Sequence, residues 1–187
     1  VSDGNTYFSV LDGSKLVAIR YDKNNAKTLT VVSENATSVA FAKISASNEN
    51  ISNFQKNIYY TRDRKDEDGS AYTNGNVLCK FDLTAWKNSD KVFFDDDSTI
   101  TLKLISSDKI YYERKSATSN ITAFYAVRTE SDVAGLNEIR ISNTNSEYYL
   151  IPDNNDIVIV KDSSNNITLI NHNGNSTQLY NGSASIV

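Results

Sequence analysis

A tyrosine-rich strand signal recurs along this chain at nearly constant steps. It reads Thr6-Tyr7-Phe8 first, then Asn57-Ile58-Tyr59-Tyr60, Lys109-Ile110-Tyr111-Tyr112, and in aliphatic form Asp156-Ile157-Val158-Ile159. From Tyr7 to Tyr59, Tyr111 and Val158 the steps are 52, 52 and 47 residues. A fixed period of this size means one supersecondary unit copied along the chain. Such a unit cannot bury its apolar face alone and is stable only when stacked on its neighbours.

The spacing inside the unit identifies it as all-β. No stretch of twelve or more residues keeps a helical stripe, whereas short alternating or apolar runs alternate with Asn, Asp, Ser and Gly clusters. The reading places strands near Tyr7–Val10, Lys15–Tyr21, Lys27–Val32 and Ser38–Ile44, then Asn57–Arg62, Val77–Leu83, Lys91–Phe94 and Thr99–Ile105. The second half gives Lys109–Glu113, Ile121–Val127, Glu138–Ile141 and Tyr148–Ile151, then Asp156–Lys161, Asn166–Ile170, Thr177–Tyr180 and Ala184–Val187. Asp12-Gly13 and Asn74-Gly75 supply the positive φ that tight turns require, and Lys161–Asn165 and Asn171–Asn175 repeat the polar pattern. Four antiparallel strands per unit, in four repeats over about 1–45, 46–106, 107–152 and 153–187, are the blades of a β-propeller. The whole of 1–187 is then one propeller-like domain, either a compact four-bladed ring or part of a larger propeller.

The repeats also agree in detail. Ile19-Arg20-Tyr21-Asp22 and Cys79-Lys80-Phe81-Asp82 share an order of apolar, basic, aromatic, acidic, which puts the aromatic and basic side chains on opposite faces of a strand. The apolar runs Ala40–Ile44 and Ile100–Ile105 suit the innermost place of a blade, and the short polar-edged run Lys91–Phe94 suits its rim. At Tyr59-Tyr60-Thr61-Arg62-Asp63 and Val77-Leu78-Cys79-Lys80-Phe81-Asp82 the chain resembles the tyrosine-rich propeller repeats of bacterial secreted proteins and surface lipoproteins, which are distantly similar to YWTD propellers. The fourth unit departs, with Val158-Ile159 where the pattern has two tyrosines. The resemblance implies an extracellular or cell-surface protein. The chain begins on Val1 and contains no Met, so the expectation is a mature, processed or cloned piece of a longer polypeptide, with a lipid anchor expected in a missing N-terminal segment.

Charge and composition exclude several classes. A net charge of −4 offers no long-range attraction to nucleic acid. No apolar run reaches the ~20 residues of a membrane-spanning helix. One cysteine, Cys79, excludes an internal disulfide and cysteine-based zinc spacing, and mid-strand it reads as a small buried hydrophobe. The only histidine, His172, falls in a polar turn, and no Gly-x-Ser-x-Gly elbow is present. The six Asn-x-Ser/Thr sequons are what so Asn-rich a chain produces by chance. Trp86 follows an Asp-Leu-Thr-Ala turn and reads as a packing plug.

What remains for function is a set of binding candidates. Asp95, Asp96 and Asp97 form the one acidic run that suits a hard cation such as Ca2+; no other cofactor is expected. Asp63, Arg64, Lys65, Asp66, Glu67 and Asp68 open a polar stretch running to Asn74 that reads as the longest loop of its unit. Adjacent tyrosines point to opposite strand faces, so one member of Tyr59/Tyr60 and of Tyr111/Tyr112 should pack between blades while the other reaches either a surface, where it would offer an aromatic contact, or the sheet beneath. The reading is therefore a non-catalytic binding or scaffold module with a protein or polysaccharide partner. The rival is a polysaccharide hydrolase or lyase with two carboxylates at the mouth of a propeller channel.

Overall fold

A computed structural model describes residues 4–41, 57–65, 71–89, 98–105, 109–118, 122–127, 138–142, 147–150, 158–171 and 175–182. Over these residues the chain is all-β, with fifteen strands in four antiparallel sheets that follow one another in sequence. The first sheet holds β1 (Thr6–Asp12), β2 (Lys15–Tyr21) and β3 (Lys27–Ser33). The second holds β4 (Ala36–Phe41), β5 (Asn57–Lys65), β6 (Ala71–Asp82) and β7 (Lys87–Ser89). The third holds β8 (Thr99–Ile105), β9 (Ile110–Lys115), β10 (Thr122–Val127) and β11 (Glu138–Ser142). The fourth holds β12 (Glu147–Leu150), β13 (Val158–Lys161), β14 (Ile167–Ile170) and β15 (Ser176–Tyr180).

Local chemistry explains the turns. Gly13, at φ 61°, opens the two-residue hairpin between β1 and β2. The Asp22 carboxylate accepts from the Asn24 and Ala26 amides at 2.8 Å, and the Asp162 carboxylate accepts from Ser164 and Asn166 at 2.8 and 2.9 Å. Each of these loops ends through an asparagine in the left-handed region, Asn25 and Asn165.

The sheets pack face to face in chain order. Tyr7, Leu16 and Ala18 of the first sheet meet Ile58, Tyr60, Cys79 and Phe81 of the second. Tyr59 and Leu78, on the other face of the second sheet, meet Ile100, Leu102 and Tyr112 of the third. Tyr111 and Phe124, on the far face of the third, meet Val160 and Ile170 of the fourth. The period-2 alternation of a strand thus sends the first tyrosine of each pair forward to the next sheet and the second back to the preceding one. Small or branched residues sit across from the rings, with Ala40 opposite Tyr59, Val39 opposite Tyr60 and Leu102 opposite Tyr112.

Four features differ from the sequence reading. The apolar strands β4 and β8 pair forward with the tyrosine strands β5 and β9, so the sheets run one strand out of phase with the repeats 1–45, 46–106 and 107–152. The first sheet consequently has three strands among the described residues, not four. The polar stretch from Asp63 to Asn74 is largely strand: β5 continues to Lys65 and β6 begins at Ala71. Asn74-Gly75 is no hairpin turn, because Gly75, at φ 83°, sits where the β5–β6 register shifts, as a bulge does. Finally, an odd step of 47 residues would turn Val158, and Val160 with it, forward; Val160 packs back against the third sheet, so the true third step, into the fourth sheet, is even. The fourth strand of the second sheet is β7, whereas the expected strand Lys91–Phe94 and the expected closing strand Ala184–Val187 lie outside the described residues.

Candidate functional site

The four tyrosines offered as binding residues are all interior. Tyr59, Tyr60, Tyr111 and Tyr112 are each 3% exposed or less. Both faces of the second and third sheets are covered, so one member of each pair packs between sheets as expected, the other also reaches a neighbouring sheet, and neither is left as an aromatic platform for binding. Asp63 is exposed near the end of β5, and Arg64 and Lys65 continue that strand. Asp66, Glu67 and Asp68 lie outside the described residues, as do His172 and the calcium candidates Asp95, Asp96 and Asp97. Among the described residues no three His, Cys, Asp or Glu side chains converge to hold a metal ion. Among them, too, no helix is long and apolar enough to cross a membrane.

Cys79 is buried at the first interface, and Trp86 packs there edge-on to Phe81, 5.2 Å between centroids, and 6.1 Å from Tyr7. The Arg20 guanidinium covers the outer side of the indole at 4.8 Å. Trp86 holds φ 52°, a costly backbone conformation for a bulky side chain that this packing maintains.

One polar group of note is buried behind the second tyrosine of the third sheet. The Tyr112 hydroxyl donates to Glu138 Oε1 at 2.5 Å, and Arg114 Nη1 donates to Glu138 Oε2 at 2.5 Å. Arg114 Nε also donates to Ser98 Oγ at 3.2 Å. Burial first, and the Glu138 carboxylate second, push the Tyr112 phenol far above its ordinary range. The phenol is thus a fixed hydrogen-bond donor, and the trio of Tyr112, Arg114 and Glu138 is a lock between β9 and β11, tied to Ser98 just before β8.

The described surface breaks this pattern on the first sheet. The outer face of the first sheet carries two cross-strand rows, Phe8–Ile19–Leu29 and Val10–Val17–Val31, set by the β1–β2 and β2–β3 registers. Phe8, Val10, Leu29 and Val31 are 49%, 47%, 54% and 45% exposed. Tyr21 meets Phe8 edge-on at 6.0 Å, and Asp12, Lys15 and Lys27 stand at the margins of the same face. A contiguous apolar grid with a polar rim is what a contact surface looks like; isolated exposed hydrophobes need no such explanation. Beside it, β1 pairs only with β2 among the described residues, so this sheet also presents an edge. Sequence reasoning missed these residues. The signal was present in β2, where Leu16 and Ala18 alternate with Val17, Ile19 and Tyr21 so that both faces are apolar. A strand apolar on both faces reads as covered on both, and only the topology reveals which cover is missing.

No protein-family model matches the chain, and none of the curated proteins does. Among solved structures it is similar to TolB from Acinetobacter baumannii, at 13% sequence identity and a TM-score of 0.47, over 94% of this chain and 41% of that one. The chain spans less than half the length of that structure.

Proposed function

We propose that the chain is a non-catalytic binding or scaffold module built of propeller-type blades, carried outside a bacterial cell or on its surface, where it holds a protein or polysaccharide partner. The observation that carries this reading is the apolar grid of Phe8, Val10, Leu29 and Val31, left open on a body whose other described sheet-to-sheet faces are filled with aromatic and aliphatic side chains. Burying such a grid is favourable by roughly 25 cal/mol for each Å² of apolar surface removed from water, and Phe8 supplies a large, rigid anchor. The resemblance of the tyrosine strands to repeats of secreted and lipid-anchored surface proteins supports the location and a lipid anchor.

The test is to screen the purified chain against a glycan array, a panel of polysaccharide substrates and candidate surface proteins, beside the Phe8→Asp and Leu29→Asp variants. Saturable binding lost in both variants, with folding unchanged, is the expected result. Turnover of any polysaccharide, abolished by replacing one carboxylate, would overturn the reading in favour of an enzyme.

A further inference from the structure

We propose that the outer face of the first sheet is a self-assembly surface, covered by the fourth sheet of a second copy of this chain in head-to-tail contact. The inference rests on the reading of that face as a contact surface and adds the identity of its occupant.

Phe8 stands one repeat before Tyr60 and two before Tyr112, at even steps of 52 residues that preserve the strand face. Its cross-strand partner Ile19 occupies the place that Cys79 holds opposite Tyr60. In the second and third sheets this place is interior, because the preceding sheet lies on it: Tyr60 packs among first-sheet residues and Tyr112 among second-sheet residues. The first sheet therefore displays the receiving half of an interface that the molecule builds between its successive sheets. What has fitted that half each time is the forward face of a sheet of the same kind, not a peptide or a sugar.

Among the described residues, the forward face of the fourth sheet has no sheet packed on it. In the fourth sheet Val160 and Ile170 point back to the third, so alternation and register turn Tyr149, Ile159 and Leu169 forward in one row and Ile167 and Tyr180 in another. Tyr149 and Tyr180 are 40% and 50% exposed, and Ile159, Leu169 and Ile167 are half-buried. The two ends thus carry unlike but complementary halves of one repeated contact. Such halves associate head to tail, closing a ring if the rotation permits and extending a filament if it does not.

The experiment is light scattering coupled to size exclusion on the full chain at several concentrations. The expected result is a concentration-dependent species at or above twice the 20.8 kDa monomer. Phe8→Asp or Leu29→Asp at one end, and Tyr149→Asp or Tyr180→Asp at the other, should each return the monomer with an unchanged circular-dichroism spectrum. A mixture of Phe8→Asp and Tyr149→Asp chains should recover a dimer and nothing larger, because one intact half remains on each. Three results would overturn the proposal: a monomeric parent chain, an assembly that survives Tyr149→Asp and Tyr180→Asp, or a mixture that fails to recover. A monomeric parent that still binds a different partner through Phe8 would retain the contact surface and remove only the self-assembly.

Discussion

The Asn76 carboxamide takes the place of a neighbouring strand for Ile100. Its Nδ2 donates to the Ile100 carbonyl at 2.8 Å, and its Oδ1 accepts from the Ile100 amide at 2.8 Å. Asn76 lies in β6 of the second sheet, while Ile100 lies in β8, the edge strand of the third. On either side, the Asn76 amide donates to the Ser98 carbonyl at 3.3 Å, and the Leu102 amide donates to Ser38 Oγ at 3.2 Å. Polar groups of one sheet therefore satisfy the open edge of the next, which both holds the sheets together and blocks stray strand addition.

Replacing Asn76 with Ala should orphan both Ile100 backbone groups in a buried place. Each orphaned group costs about 1–3 kcal/mol. Urea denaturation of Asn76→Ala against the parent checks this, and an effect below about 1 kcal/mol would mean that the bridge is not formed.

The tyrosine positions give a contrast within one repeat. Tyr60→Ala should cost about 3–5 kcal/mol, because it empties an interface. Phe8→Ala, at the same repeat position but half-exposed, should cost about 1 kcal/mol, in proportion to its smaller buried surface. Equal losses in thermal or chemical denaturation would show that the first sheet is covered in the isolated chain.

Much of this arrangement was legible in the sequence, for identifiable reasons. The strands Lys15–Tyr21 and Thr99–Ile105 were read with their observed ends because turn residues or a sharp change of polarity bound them. The opposed faces of the tyrosine pairs follow from strand periodicity alone. The added length of β5 and β6 was hidden because hydrogen bonding continues through polar residues such as Asp63 and Asn76 after the apolar pattern stops. The one-strand offset between repeat and sheet was hidden because it depends on which neighbour β4 and β8 choose. The open face was hidden for the same kind of reason: Phe8 has the sequence context of Tyr60, and only its place in the first sheet exposes it.

Alkaline pH should unfold the chain through Tyr112. Its phenol is raised above its ordinary value by burial and by Glu138, so the folded state holds that proton more tightly than the unfolded chain does. The stabilisation is fully present below about pH 10, the ordinary value for tyrosine, and is lost as pH rises beyond it. Denaturant midpoints from pH 8 to 11 should fall at the alkaline end, and Tyr112→Phe should flatten that fall while lowering stability at pH 8.

Acid should loosen the loop between β13 and β14. Asp162 lies below its ordinary value because the Asn166 side chain and the Asn166 and Ser164 amides donate to its carboxylate. This contribution is present above the unfolded carboxylate value and lost as pH falls through the lower folded one. A carboxyl-carbon NMR titration should place the Asp162 midpoint below 3.8, and Asn166→Ala should move it upward.

The most direct test of the account is a photo-cross-link from position 8, because one repeat position is held to be interior in the second and third sheets and a contact surface in the first. With Phe8→p-benzoylphenylalanine in the purified full chain, irradiation should give a product at twice 20.8 kDa whose cross-linked peptide maps to Glu147–Tyr180 of the other copy. Cross-links from position 8 that reach Glu147–Tyr180 of the same chain, with no product at twice 20.8 kDa, would contradict it, since they would show that the face is already covered by the chain's own fourth sheet.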